Sequence, residues 1–162
     1  MPLRRHIKLV MTQFYDILDK IKDELRMNPN VFSVTYGDIT KVDLDKTTIF
    51  PLSHLNISNA TIGEHTVRFT LQLLCVDIVD YNKDSSPDDE FYGNDNMQDI
   101  LNTQLQVVND VVSQLRRGAL FTDKLQVLED VSVQPFMDRF ENELAGWGAD
   151  IIIEMPNDIS IC

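Results

Sequence analysis

Three stretches of the sequence predict an α+β fold in which a mainly antiparallel sheet packs against two helices. Residues 65–80, HTVRFTLQLLCVDIVD, are the longest strand-like run, and residues 12–26 and 97–117 both repeat apolar side chains at helical spacing. The chain has 162 residues, near the usual size of one domain and long enough to bury a core of its own, so a single domain is expected over 1–162.

The central run carries most of the information. Val67, Phe69, Leu71, Leu73 and Cys75 share one face at a period of two, with Arg68, Thr70 and Gln72 opposite. From Leu74 onward the second face turns apolar as well, through Leu74, Val76 and Ile78. A strand that passes from one wet face to two dry ones needs a cover on its second side. The 97–117 helix is the expected cover, with a neighbouring subunit as the alternative.

The first helix is predicted from Thr12, a capping residue, to about Arg26. Phe14, Ile17, Leu18, Ile21 and Leu25 form its apolar face, and Asn28-Pro29-Asn30 stops it. Residues 31–36 read as a short strand and Gly37-Asp38 as a turn, while residues 39–44 keep alternation only partly. Residues 48–60 read as a strand interrupted by Pro51, which places that position on an edge or at a bend. The turn-rich 59–64 then returns the chain into the central run as a hairpin.

Residues 82–95, NKDSSPDDEFYGND, are the most loop-like part of the chain. The plain reading is a protruding, solvated acidic loop whose acids are Asp84, Asp88, Asp89, Glu90 and Asp95. Phe91 and Tyr92, two aromatics inside it, make the loop a candidate contact for a partner or a neighbouring subunit. The second helix follows over 97–117, with Asn96 as N-cap and Asp99 in the first turn. Leu101, Leu105, Val108, Val112 and Leu115 form its stripe, broadened by Ile100, Val111 and Gln104; Arg116 and Arg117 suit its negative end and Gly118 its termination. Residues 125–128 and 131–134 read as short β pieces. Phe136, Phe140 and Leu144 fit one helical face, or Phe136 and Phe140 anchor a loop, and residues 149–155 alternate as another strand. In the tail, Ile159 and Ile161 are exposed unless a neighbour receives them, so they too are candidate subunit contacts.

Composition narrows the function. The balance of 14 basic against 26 acidic residues gives a formal net charge of −12, which opposes a role as a nucleic-acid clamp. The one dense basic group is Arg4, Arg5 and Lys8. No apolar run approaches the roughly 18 residues of a spanning helix, and no secretory leader is evident, so no membrane role is expected. Cys75 and Cys162 have no metal or disulfide spacing, and a buried structural thiol is expected at Cys75. His6, His54 and His65 lack metal-ligand spacing, although His54 and His65 are placed to face one another across the hairpin. No phosphate loop, nucleophile elbow or zinc motif is present, so the sequence predicts a protein that is not an enzyme and holds no cofactor or metal.

The combination FYDILDKIKDEL, SVTYGDITKVDL, TIFPLSHLNISNATI, QLLCVDIVD, NMQDILNTQLQVVNDVVSQLRRG and PFMDRFENELAGWGADIIIEMPND resembles tail-completion or tail-terminator-like neck ring proteins of tailed bacteriophages. The likeness is to sequences from phages of Bacteroidota hosts, crAss-like phages included. It runs from about residue 13 to the C-terminus; the basic start MPLRRHIKL departs from it. The resemblance implies a tail-terminator-like α+β domain with no catalytic residues to carry over. It further implies a virion protein, made in the host cytoplasm, that forms a homo-oligomeric ring, hexameric or dodecameric. Such a ring joins the head-side connector or adaptor to tail proteins at the neck, and packaged DNA passes through it without specific binding. Two alternatives come from other classes: an acidic inhibitor or DNA mimic, which requires charges spaced like phosphates on one surface, and an enzyme using paired carboxylates, which requires a concave pocket with perturbed titrating groups.

Overall fold

The computed structural model describes residues 12–42, 47–79, 97–139 and 143–157. They form an α+β fold: a five-stranded mixed sheet with two long helices, α1 (Thr12–Met27) and α2 (Met97–Arg117), on one face. The strands are β1 (Ser33–Tyr36), β2 (Leu52–Ile62), β3 (Thr66–Ile78), β4 (Val133–Arg139) and β5 (Glu143–Pro156), and their order across the sheet is β1-β2-β3-β5-β4. A short helix, α3 (Ala119–Thr122), follows α2.

The predicted central run is the middle strand. β3 pairs antiparallel with β2 on one side and with β5 along its whole length on the other, from Thr66 opposite Pro156 to Ile78 opposite Leu144. Its odd-numbered side chains, from Val67 to Cys75, lie beneath the helices. There they meet Ile17, Ile21 and Leu25 of α1 and Val107, Val108, Val111 and Leu115 of α2, together with Ala149, Ile151, Ile153 and Met155 of β5. The four-residue spacing of Ile17, Ile21 and Leu25 puts all three on one line down α1, and each is fully buried. Asn28 ends α1, its Oδ1 accepting from the Asn30 N–H at 3.0 Å. The α2 stripe is turned relative to the predicted one: Ile100, Gln104, Val107, Val108, Val111 and Leu115 are buried, whereas Leu105 is 40% exposed.

The second face of β3 is dry, as expected, but α2 does not cover it. Leu74, Val76 and Ile78 pack with Phe50, Leu52, Leu144, Val42, Ile49 and Phe136 on the side away from the helices. The reason is topological. β1 and β2 are parallel neighbours, so the chain between them must cross over one face of the sheet. The helices fill one face, and the crossover, with 3₁₀ turns at Ile39–Lys41 and Thr47–Ile49, lays Val42, Ile49 and Phe50 over the other. The first of those turns replaces the weak alternation read at 39–44; Asp38 caps it by accepting from the Thr40 N–H at 3.0 Å. Pro51 lies at a bend ahead of β2, after a cis Phe50–Pro51 bond.

The C-terminal half holds two further differences. β4 runs straight through Pro135, which an edge strand tolerates, so Phe136 belongs to a strand rather than to a helical face or a loop. Residues 125–128 contribute only a bridge between Gln126 and Glu154. Beside that bridge the Glu154 carboxylate, in a side chain nearly closed to solvent, accepts from Arg68 Nε at 2.7 Å. β5 begins earlier than predicted, at Glu143, and passes through Gly146-Trp147-Gly148. Trp147 Nε1 donates to the Leu101 carbonyl at 2.7 Å and so ties β5 to α2.

Gln104 stands out within the helix-side core. It is 1% exposed, and neither polar atom of its amide has a hydrogen-bond partner. A buried amide left unpaired costs on the order of 1–3 kcal/mol, a cost that the surrounding apolar contacts offset.

Gly146 is required by close packing. A Cβ at that position would overlap the Cys75 carbonyl oxygen and crowd the Val76 Cα, both rigid backbone atoms of the neighbouring strand. Gly146→Ala is expected to lower unfolding stability by about 2 kcal/mol or more, read as a reduced urea midpoint with an unchanged slope. Gly148→Ala is the internal control, because its Cβ meets only the Leu74 side chain at an ordinary 3.8 Å and is expected to cost far less.

Candidate functional site

Below the crossover the second sheet face opens into a groove of about 640 Å³. Its floor follows from the strand registers. His54, Leu74, Gly148 and Gln134 lie in one row, and Asn56, Gln72 and Asp150 in the next. The turn at residues 37–39 forms one wall and residues 132–136, with Pro135 and Phe136, form the other. On the floor Asn56 Nδ2 donates to Gln72 Oε1 at 3.0 Å, which holds the two amides side by side.

His54 anchors the boundary between the covered and open parts of this face. It is 4% exposed, and both ring nitrogens are engaged. Nε2 lies 2.8 Å from the Gly37 carbonyl, which only accepts, so Nε2 carries the proton. Nδ1, 2.7 Å from Thr35 Oγ1, then accepts from that hydroxyl. The parallel register that sets Thr35 beside His54 makes this arrangement possible. Burial pushes the His54 pKa below its ordinary value, and the Gly37 carbonyl and the Asp38 charge only partly oppose that shift. Asp38, on the adjoining wall, is held below the usual carboxylate range by the N–H and hydroxyl of Thr40, and it stays ionised.

Two other titratable groups lie away from the groove, Cys75 in the core and Asp77 half-buried. Burial pushes the Cys75 thiol up to about 12, so it is a thiol and not a thiolate at neutral pH, with Ser53 Oγ 3.5 Å away. Burial also raises the pKa of Asp77, against the Ile78 N–H that donates to its Oδ1 at 2.8 Å. The groove therefore offers amides, two carboxylates and an apolar wall, chemistry suited to holding an extended polar segment. Both ring nitrogens of His54 are engaged, and among the described residues that line the groove none is a cysteine or lysine.

The candidate contacts named from the sequence, Asp84, Asp88, Asp89, Glu90, Phe91 and Tyr92 of the acidic loop and Ile159 and Ile161 of the tail, lie outside the described residues, as do His6 and the N-cap Asn96. His54 and His65 do not meet. His54 pairs with Leu74 within the hairpin, whereas His65 sits exposed in its turn, where its carbonyl accepts from the Asn157 N–H. Among the described residues no group of three His, Cys, Asp or Glu side chains is placed to hold a metal ion, and no helix is long and apolar enough to cross a membrane. The Thr35–His54–Gly37 chain was hidden in the sequence, because its partners meet only through a parallel pairing. The GD pair after a strand was its sole local signal. No protein-family model matches the chain, and no curated protein matches it significantly.

The depressed His54 pKa gives a signed pH dependence. In the window between the lowered folded value and the unfolded value of about 6.5, the unfolded chain binds a proton that the native histidine does not. The His54 contribution is therefore complete above that unfolded value and is lost as pH falls through the folded one. Urea unfolding followed from about pH 7.5 down to pH 5 is expected to show this loss in the wild type. The difference between wild type and His54→Asn is expected to shrink over the same window; a difference independent of pH contradicts the assignment.

Proposed function

We propose that this chain is a structural virion protein that assembles into a homo-oligomeric ring at the neck or head-proximal end of a phage tail. The observation that carries the reading is the combination of segments from residue 13 onward that resembles tail-completion and tail-terminator-like proteins. The α+β architecture is of the kind that the resemblance implies. A net charge of −12 suits a DNA passage, because an acidic surface repels the phosphate backbone and lets the duplex slide. In this reading the ring joins a head-side connector or adaptor to the tail, and it works through protein contacts rather than through catalysis.

The acidic-inhibitor reading rests on the same net charge, and the two differ in what they bind. A DNA mimic captures a DNA-binding protein with steep salt dependence, whereas a ring subunit associates with itself and with neighbouring virion proteins.

Negative-stain microscopy and native mass measurement of the concentrated full chain, alone and mixed with the connector and tail proteins encoded beside it, test the proposal. Closed rings, or assembly on mixing, are expected. A strict monomer that also fails to join those proteins contradicts it.

A further inference from the structure

The outer edge of β2 is open beyond the end of β1. β1 pairs only with residues 52–55, whereas β2 continues to Ile62. The outward-facing backbone groups of residues 56–62 therefore meet no strand among the described residues. Natural sheets blunt such edges with charges, proline, bulges or short strands. Residues 56–62 read NISNATI, without a charge or a proline, and the bulge between Ile57 and Asn59 is the one guard present. The opposite edge strand, β4, carries Pro135.

The same edge has an apolar shoulder. Ile57, Ala60 and Ile62 pair with Leu71, Phe69 and Val67 and so point to the helix side of the sheet. Ile62 is 79% exposed, and Tyr36, which pairs with Leu55 at the other end of the open edge and points to the same side, is 52% exposed. Phe14 of α1, 38% exposed, packs edge-on against Phe69 with ring centres 6.0 Å apart. A strand added here gains ladder hydrogen bonds and apolar contacts together.

We propose that this edge pairs antiparallel with the same edge of a second copy, in a register centred on Ala60. An identical partner presents the same uncharged edge. In a chain of net charge −12, this neutral strip is a place where two copies approach without opposing their carboxylates. The pleat limits the register to pairings that keep each face together. With Ala60 opposite the partner's Ala60, Asn59 stands opposite the partner's Thr61 on the open face, and the small Ala60 pair lies on the helix side. Centring on Asn59 instead sets Ile57 of one face against Thr61 of the other, because the bulge shifts the alternation between them. The contact is isologous and closes at two copies. It is independent of the ring, which needs a heterologous surface.

Sedimentation and native mass measurement of the full chain over a wide concentration range test the pairing, with Ala60→Lys as the disrupting variant. Ala60 is exposed at the edge, and unfolding of the variant verifies that the fold persists. A reversible two-copy species is expected, weakened at least about tenfold by the two facing lysines. In a Cys162→Ser background, Ala60→Cys is expected to form an intermolecular disulfide under mild oxidation, and the exposed control Thr122→Cys is not. A wild type that stays monomeric at the highest attainable concentration overturns the pairing, as does cross-linking of Ala60→Cys no better than the control. Larger assemblies that Ala60→Lys leaves unchanged support the ring and overturn this edge. A two-copy species lost in Ala60→Lys, with nothing larger formed, supports the edge while the ring fails.

Discussion

Every layer of this structure hangs on the alternation of β3. Because β3 is hydrogen-bonded on both sides, each of its side chains is committed to one face, and a slip of one residue would exchange the two sets. The odd set, Val67 to Cys75, gives α1 and α2 their platform, and the even set from Leu74 to Ile78 gives the β1–β2 crossover its own. Two cores on opposite faces thus share one strand. Gly146 belongs to the same constraint, since it lets β5 lie close to β3 at Cys75 and Val76, where the two cores adjoin.

The even face is only half covered, and that incompleteness creates the groove. Where the crossover ends, the floor changes from Leu52, Val76 and Leu144 to Asn56, Gln72 and Asp150. His54 sits at the change, turned inward to Thr35 and the Gly37 carbonyl. It is a joint that fastens the turn after β1 onto β2, and burial favours its neutral form. The groove's hydrogen-bonding capacity lies in its amides and in Asp38 and Asp150.

Much of this was legible in the sequence, for identifiable reasons. The period of two over 65–80, the turn-rich 59–64 and the apolar repeat with Gly118 after 97–117 each specify an element locally, and β3, the hairpin and α2 lie where those signals put them. The need for a cover over Leu74, Val76 and Ile78 was legible too, but its identity was not. That depends on β1 lying parallel to β2, a non-local choice with no local signature. The rotation of the α2 stripe is non-local too: Val107 and Gln104 are buried, and Leu105 is exposed, through the way the helix docks on the sheet and not through its own spacing. Pro135 hid a strand because a proline reads as a break unless the strand lies at an edge. For the site, the acidic loop and tail contacts fall outside the described residues, and the His54 arrangement depends on the same parallel register.

Native-state hydrogen exchange measures most directly whether β3 is the shared wall of both cores. The amides of Leu71, Leu73, Cys75 and Val76 are expected to exchange only through global unfolding, with one opening free energy equal to that from urea denaturation. The β1 and β4 amides are expected to open at lower cost. If the β3 amides near Val76 instead open independently of those near Leu71, the two cores are separate units, and β3 is not the element on which both depend.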